Sequence, residues 1–276
     1  VTRRHFDRPI FVIAMPRSGS TLLFDLLSAH DRVFSWGDEA YPPWAAVDPA
    51  VGSGEEGDSF RVPIDDEAAR RAGAVLHGGV VAASPLMPWL LRRRIRRYRL
   101  VEKTPANVIR VAALAHMWPD ARFIHLTRDA PANISSLLEG RERGLAVRDW
   151  PSRNGMEWHF LMPPGWQEHL ADSPVEQFAW QWEAGNEAAL NDLSGRDHAR
   201  VRYEDLIANP QDVVADLLTF AALRPSSGIA RAVEAMAPSK HTLSAPRDDK
   251  WREREAEIAP VLPGLAGLRR ALGYEI

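Results

Sequence analysis

The stretch "MPRSGSTLL" (15–23) lies between an apolar run and a helical stripe, and its composition suits it to hold an anion. Ser18, Gly19, Ser20 and Thr21 are small enough to let the backbone approach a ligand closely, Leu22 begins the apolar stripe, and Arg17 adds a fixed positive charge. A strand feeding such a turn at a helix N-terminus presents several N–H donors and the positive end of the helix dipole. Together these bind a phosphate-like anion without a metal. The turn ends Gly19-Ser20-Thr21 and not in the Gly-Lys-Ser/Thr of nucleoside-triphosphate loops, which argues against a kinase or ATPase. Other routes to chemistry are closed or weak. The chain has no cysteine, so thiolate ligands and cysteine nucleophiles are excluded. Its nine histidines include no pair with zinc-ligand spacing such as H-E-x-x-H, so no metal is expected.

A loop of this kind must be carried by strands that all end at one edge. "IFVIA" (10–14) is a continuous apolar run, as expected of a strand covered on both faces, and the helix after the loop aligns Leu22, Leu23, Leu26 and Leu27. A second unit starts at "RLVEK" (99–103); Thr104 then reads as an N-cap and Pro105 as the first helical residue, with Val108, Val111, Ala112 and Ala115 inward up to Trp118-Pro119. "RFIHLT" (122–127) predicts a third strand, and "APANISSLLEG" (130–140) the helix after it, closed by Gly140. Residues 141–172 read as a long structured loop. Ser173 and Glu176 form a capping box for a helix that buries Val175, Phe178, Ala179 and Trp182. "ARVRY" (199–203) is a fourth strand, and Asn209-Pro210 opens a helix with Val213, Val214, Leu217 and Leu218 inward. Alternating strands and helices predict an α/β fold of three layers, a central parallel sheet of P-loop type with crossover helices. The expected organisation is one domain over 1–276. Residues 37–97, which include the acidic, glycine-rich "VGSGEEGDS" (51–59), form a largely helical and loop insertion, a lid over the active site.

"MPRSGSTLL" resembles the 5′-phosphosulfate loop of the sulfotransferases, which use 3′-phosphoadenosine 5′-phosphosulfate as sulfate donor and release adenosine 3′,5′-bisphosphate. The resemblance implies a later strand ending in Arg, with a Ser in the helix behind it, to bind the donor's 3′-phosphate; "FIHLTRDAPANISSLL" (123–138) supplies Arg128 and Ser136. Arg128 also stands where a strand gives way to a helix N-terminus, the edge at which α/β proteins bind ligands; otherwise it reads as a solvated or Asp129-paired arginine. "RYEDLIANP" (202–210) is similar to the family's Tyr-Glu-Asp-Leu segment and implies that Tyr203 contacts adenine, while Glu204 and Asp205 organise the turn. "SAPRDDKWRERE" (244–255) takes the place of the family's basic C-terminal loop, which implies donor contacts from Arg247, Lys250 and Trp251.

The same resemblance gives Lys103 the task of approaching the bridging oxygen of the donor; the plain alternative is an ion pair with neighbouring carboxylates. "AHDRVFSWGDEAYPPW" (29–44) looks like the region of the tyrosylprotein sulfotransferases in which a Gly-acidic-Glu run supplies the general base, here Gly37-Asp38-Glu39. That branch has an Arg two residues after the glutamate where this chain has Tyr41. Cytosolic sulfotransferases use a histidine instead, and His241 is the first rival to Glu39, with His125 next. Of the ten tryptophans, Trp36, Trp44, Trp150, Trp158 and Trp166 fall in irregular segments, where they line an acceptor pocket or pack long loops. "WHFLMPPGW" (158–166) resembles sulfotransferase modules of polyketide assembly lines, which act on a carrier-bound hydroxyl in secondary metabolism. "RRRIRRY" (92–98) is either a solvated helix face or a dock for an acidic carrier.

A net charge of −3 gives no nucleic-acid footprint, and 45% apolar with 26% charged residues is ordinary for a globular protein. No run approaches the roughly 18 apolar residues of a membrane span, and "VTRRHFDRP" (1–9) lacks a signal peptide's apolar core, so the cytoplasm is the expected location. A start at Val1 fits a lost methionine or a module of a longer polypeptide. The expected activity is sulfuryl transfer to a hydroxyl of a small-molecule or carrier-bound acceptor. The rivals are a nucleoside-triphosphate kinase and a non-catalytic module that binds an adenosine bisphosphate or a carrier.

Overall fold

All residues from Ile10 to Met15 are buried, and the pleat sends them alternately to two separate cores. Ile10, Val12 and Ala14 join Leu22, Leu23, Leu26 and Leu27, while Phe11, Ile13 and Met15 join Leu76, Val80, Trp118 and Ala189 on the other side. This explains the unbroken apolar run: the strand has no solvent face. The computed structural model of the protein describes residues 5–47, 64–84, 98–148, 157–236 and 249–275.

The strands are β1 (Ile10–Ile13), β2 (Val33–Phe34), β3 (Arg99–Glu102), β4 (Arg122–Thr127), β5 (Val147–Arg148), β6 (Trp158–His159) and β7 (His198–Arg202). The helices are α1 (Ser20–Ser28), α2 (Pro42–Val47), α3 (Asp66–Ala83), α4 (Val111–Met117), α5 (Ala130–Glu142), α6 (Pro174–Leu193), α7 (Tyr203–Ala208), α8 (Pro210–Phe220), α9 (Ser227–Glu234), α10 (Glu255–Ile258) and α11 (Leu262–Ala271). Five strands form a parallel sheet in the order β2-β3-β1-β4-β7. Residues of α3, α4 and α6 build the core on one face, and those of α1, α8 and α9 the core on the other. A third cluster joins α5 and α6 to Ile258, Leu265, Leu272 and Tyr274 of the C-terminal segment. Among the described residues no helix is long and apolar enough to cross a membrane.

The expected three-layer α/β fold is therefore present, with local differences. The helix expected after β3 is broken at Arg110 into a 3₁₀ turn (Pro105–Ile109) and α4, and Ala112 faces outward. Thr104 does not cap that turn with its side chain, whose hydroxyl is engaged elsewhere. Tyr203 does not end the fourth strand but starts α7. The two-residue β2 and the antiparallel β5–β6 pair are too short to leave a periodic signal. The capping box stands as expected, with the Glu176 carboxylate accepting from the Ser173 N–H at 2.9 Å.

Gly140 does not close its helix. The chain runs on to Glu142 and ends in a Schellman motif, with Gly144 at φ 67°, its N–H donating to the Arg141 carbonyl and the Leu145 N–H to that of Gly140, both at 2.9 Å. Gly140 is instead a contact site: an added Cβ would lie 2.6 Å from Cζ of Phe160, a buried ring. Gly140→Val should lower stability by about 1–3 kcal/mol through overpacking, read as a lower urea midpoint. An unchanged midpoint would mean that Phe160 yields freely.

Candidate functional site

Strand register decides which residues meet. Pairings of Phe11 with Glu102, Ile13 with His125 and Thr127 with Arg202 align the carboxyl ends of β3, β1, β4 and β7. Lys103, the 15–19 loop, Arg128 and Tyr203 each follow one of these ends and so collect at one edge of the sheet, where open α/β folds bind ligands.

The loop is bent by two left-handed residues, Arg17 at φ 65° and Gly19 at φ 86°. Only the second is a glycine, so the arginine holds a conformation that costs energy and that functional sites often retain. Side chains from β4 and α5 hold this shape. Asn133, fully buried, donates from Nδ2 to the Pro16 carbonyl at 3.0 Å and to Ser18 Oγ at 3.1 Å. Arg128 Nη1 donates to the Arg17 carbonyl at 3.0 Å, and Arg17 Nε donates to Ser136 Oγ at 3.3 Å. Gly19 lies flat against the Tyr203 ring, where any Cβ would collide with ring carbons, and the Arg128 guanidinium stacks over the same ring at 4.8 Å from its centroid. Burial, and after it the nearby Arg128 charge, lower the Arg17 pKa from its ordinary value. The first turn of α1 begins here with Ser20, Thr21 and Leu22, and its leading N–H groups have no partners within the helix. Two guanidiniums, two hydroxyls and a helix N-terminus thus converge on one small volume, as an anion requires.

Asn133 carries a faint sequence signal: a polar residue one turn ahead of Ser136, in a helix it does not favour. Asp129 is taken in bidentate fashion by Arg269 at 2.8 and 2.9 Å. The Arg128 carbonyl accepts from Trp182 Nε1 at 3.0 Å, so α6 fixes the strand end as well. Glu204 accepts from the Asp129 N–H at 3.1 Å and from the Tyr274 hydroxyl at 3.3 Å, while Asp205 takes Arg202 at 2.7 and 2.8 Å. Both carboxylates organise the turn.

At the other end of the edge, Lys103 Nζ lies 2.7 Å from Glu39 Oε1. The lysine side chain is 3% exposed and that of the glutamate 32%, so the pair has one buried partner and one that reaches solvent. Beside it Glu102 is buried, its carboxylate accepting from the Thr104 hydroxyl and, at 2.6 Å, from Asn107 Nδ2. Burial pushes the Glu102 pKa up to about 7, against the Thr104 hydrogen bond and the Lys103 charge, which favour the ionised form.

The other expected residues stand beside α5, lie in the interior or fall outside the described residues. Lys250 Nζ pairs with Glu139 at 2.5 Å, one turn past Ser136 on α5, and Trp251 packs against the third core with Arg252 at 5.0 Å over its ring. His241 and Arg247 lie outside the described residues, as do Trp150, "VGSGEEGDS" (51–59) and residues 92–97. His125 is fully buried within β4, and burial drops its pKa to about 3, so it is not presented at the sheet edge. His30 is structural, accepting from the Arg32 N–H and facing the Arg224 carbonyl, both at 3.0 Å. Trp158 and Trp166 are core residues packed with Met162, Leu170 and Trp180. Trp44 is buried beneath the Arg110 guanidinium, 4.6 Å from its ring centroid, and Trp36 lies half-buried over Gly79. Among the described residues no three His, Asp or Glu side chains gather as for a metal ion.

The family model described as "Sulfotransferase family" matches residues 9–226, which include the loop, Lys103, Arg128, Ser136 and Tyr203. The chain belongs to the sulfotransferase family. A curated relative, an uncharacterized protein of Aquifex aeolicus, is 22% identical over 269 residues; the match covers 92% of this chain but only 32% of the relative. The sulfotransferase domain from the curacin biosynthetic pathway shares the fold with a TM-score of 0.58 at 18% identity, covering 99% of both chains. Sulfotransferase STF9 from Mycobacterium avium gives the same TM-score of 0.58 at 16% identity, covering 98% of this chain and 78% of its own.

The raised pKa of Glu102 makes stability depend on pH. Below pH 4.5 the carboxyl is protonated folded or unfolded; between 4.5 and about 7 only the folded state retains the proton, so stability falls as pH rises across that window. Glu102→Gln should remove this fall yet fold, because the Asn107 amide can turn its oxygen toward the new side chain. Urea midpoints at pH 5 and pH 8 test it, and equal slopes for both proteins would contradict the assignment.

Proposed function

We propose that this sulfotransferase moves a sulfuryl group from 3′-phosphoadenosine 5′-phosphosulfate to a hydroxyl of a small-molecule or carrier-bound acceptor. The observation that carries the reading is the joining of loop to helix: Arg17 reaches Ser136 while Arg128 reaches the Arg17 carbonyl. The two anion-binding segments are thereby neighbours, as a donor with a 5′-phosphosulfate and a 3′-phosphate demands. The loop N–H groups with Arg17, Ser18, Gly19, Ser20, Thr21 and Leu22 would take the phosphosulfate, and Arg128 with Ser136 the 3′-phosphate. Tyr203 would meet the adenine; Arg247, Lys250 and Trp251 would close on the nucleotide from the C-terminal segment. The reading treats 1–276 as one domain; Ala40, Trp44 and the α3 residues of the expected lid pack into the core beside the sheet.

In this mechanism Glu39 takes the acceptor's hydroxyl proton, and the freed oxygen attacks sulfur in line. The bond from sulfur to the bridging oxygen breaks, and its electron pair passes to the departing 5′-phosphate. Lys103 and the loop N–H groups take up that negative charge, so Lys103 serves first as partner of Glu39 and then of the leaving group. A carrier-bound acceptor is suggested by the likeness to a domain of the curacin biosynthetic pathway.

Arg128→Ala should weaken binding of adenosine 3′,5′-bisphosphate, measured by calorimetry, by well over about tenfold, since a hydrogen bond to a charged group contributes about 1.5–3 kcal/mol. Unchanged affinity would remove the 3′-phosphate assignment. Glu39→Gln should keep bisphosphate affinity and reduce transfer of labelled sulfate by at least about a hundredfold. Retained transfer would move the base to His241, and tight bisphosphate binding by a wild-type chain that transfers nothing would favour a binding module.

A further inference from the structure

We infer that Thr104 and Glu102 are positioning residues for the base: from the far side of the β3 end they hold the backbone at Ala40 and so set Glu39 against Lys103. The inference deepens the proposed function and rests on its assignment of Glu39.

The alternation of an extended chain separates the roles of three consecutive residues. Lys103 points to one side, toward Glu39, and Glu102 and Thr104 point to the other. There Thr104 Oγ1 accepts from the Ala40 N–H at 2.9 Å and donates to Glu102 Oε1, while Asn107 Nδ2 holds Glu102 Oε2 at 2.6 Å. Ala40, Glu102, Thr104 and Asn107 are all at most 3% exposed, so no water competes for these bonds. Ala40 directly follows Glu39, and the result is a closed ring: along the chain from 102 to 104, across to Ala40, back one residue to Glu39, and across again to Lys103.

The segment needs such a tether. Gly37 and Asp38 are exposed, Gly37 takes φ 96°, and the Glu39 N–H donates to the adjacent Asp38 carboxylate at 2.9 Å. Without an anchor the half-exposed base would range over many positions, and displacement of a reacting group by about 1 Å can cost about a hundredfold in rate. A hydroxyl is the smallest group able to accept from Ala40 and donate to Glu102 at once, which explains why Thr104 leaves the start of its own 3₁₀ turn uncapped. Valine keeps the shape and loses both bonds; serine retains both.

Thr104→Val and Thr104→Ser provide the test, with exchange of the Ala40 amide followed by NMR. Turnover is read as labelled sulfate leaving 3′-phosphoadenosine 5′-phosphosulfate, for a 3-hydroxyacyl N-acetylcysteamine thioester or, failing that acceptor, for water. The valine variant should exchange Ala40 at least about tenfold faster and lose at least about tenfold in kcat, with bisphosphate affinity unchanged, and the serine variant should restore both. Unchanged Ala40 exchange in the valine variant, or equal losses in the two variants, would overturn the inference. If Glu39→Gln turns over like the wild type, the base assignment falls by itself, and the exchange of Ala40 still decides whether Thr104 holds the segment.

Discussion

The anion loop does not hold its own shape. Residues 15–19 turn through two left-handed positions, one of them a non-glycine, and a conformation of that kind persists only where surrounding structure over-determines it. The determining contacts come from β4 and α5: Asn133 on the Pro16 carbonyl and Ser18, Arg128 on the Arg17 carbonyl, and Ser136 on the Arg17 side chain. Three contacts from the elements behind α5 brace the strand end and helix start that carry these bonds. Trp182 fixes the Arg128 carbonyl, Arg269 holds Asp129 at the start of the helix, and Tyr274 reaches Thr127 at 2.9 Å. The C-terminal segment, remote in sequence, is thereby part of the scaffold of the first loop.

A buried cation needs a partner, and the second half of the site follows from that requirement. Lys103 is almost fully enclosed, and Glu39 brings its charge from a segment that reaches solvent. The same contact that neutralises the lysine brings a carboxylate to the carboxyl edge of the sheet. Glu102, one residue earlier, meets burial differently: a hydroxyl and an amide satisfy it, and its proton affinity rises toward neutrality. Two carboxylates close in space thus acquire different characters from their surroundings, one open and paired, the other closed and hydrogen-bonded.

Family membership and fold agree with this construction, although the solved relatives share under a fifth of their residues with the chain. What the solved structures share with the chain at such divergence is the fold.

The sequence by itself determined β1, β4, the capping box of α6 and the loop between β1 and α1, because each is written locally, in periodicity, small residues and capping pairs. It also marked Arg17 by its place in the small-residue loop and Arg128 by its place at a strand end, while Ser136 and Tyr203 were implied by the resemblance to the sulfotransferases. Only the tertiary structure decided that Asn133 clamps the loop, that Gly140 is a packing contact and not a cap, and that Lys103 meets Glu39 across 64 positions. It also turned Thr104 from a cap into a tether and closed His125 inside the sheet. The physical reason is common to all of these: partner and burial are set by strand register and by which elements pack together, and neither is encoded in any short window of the chain.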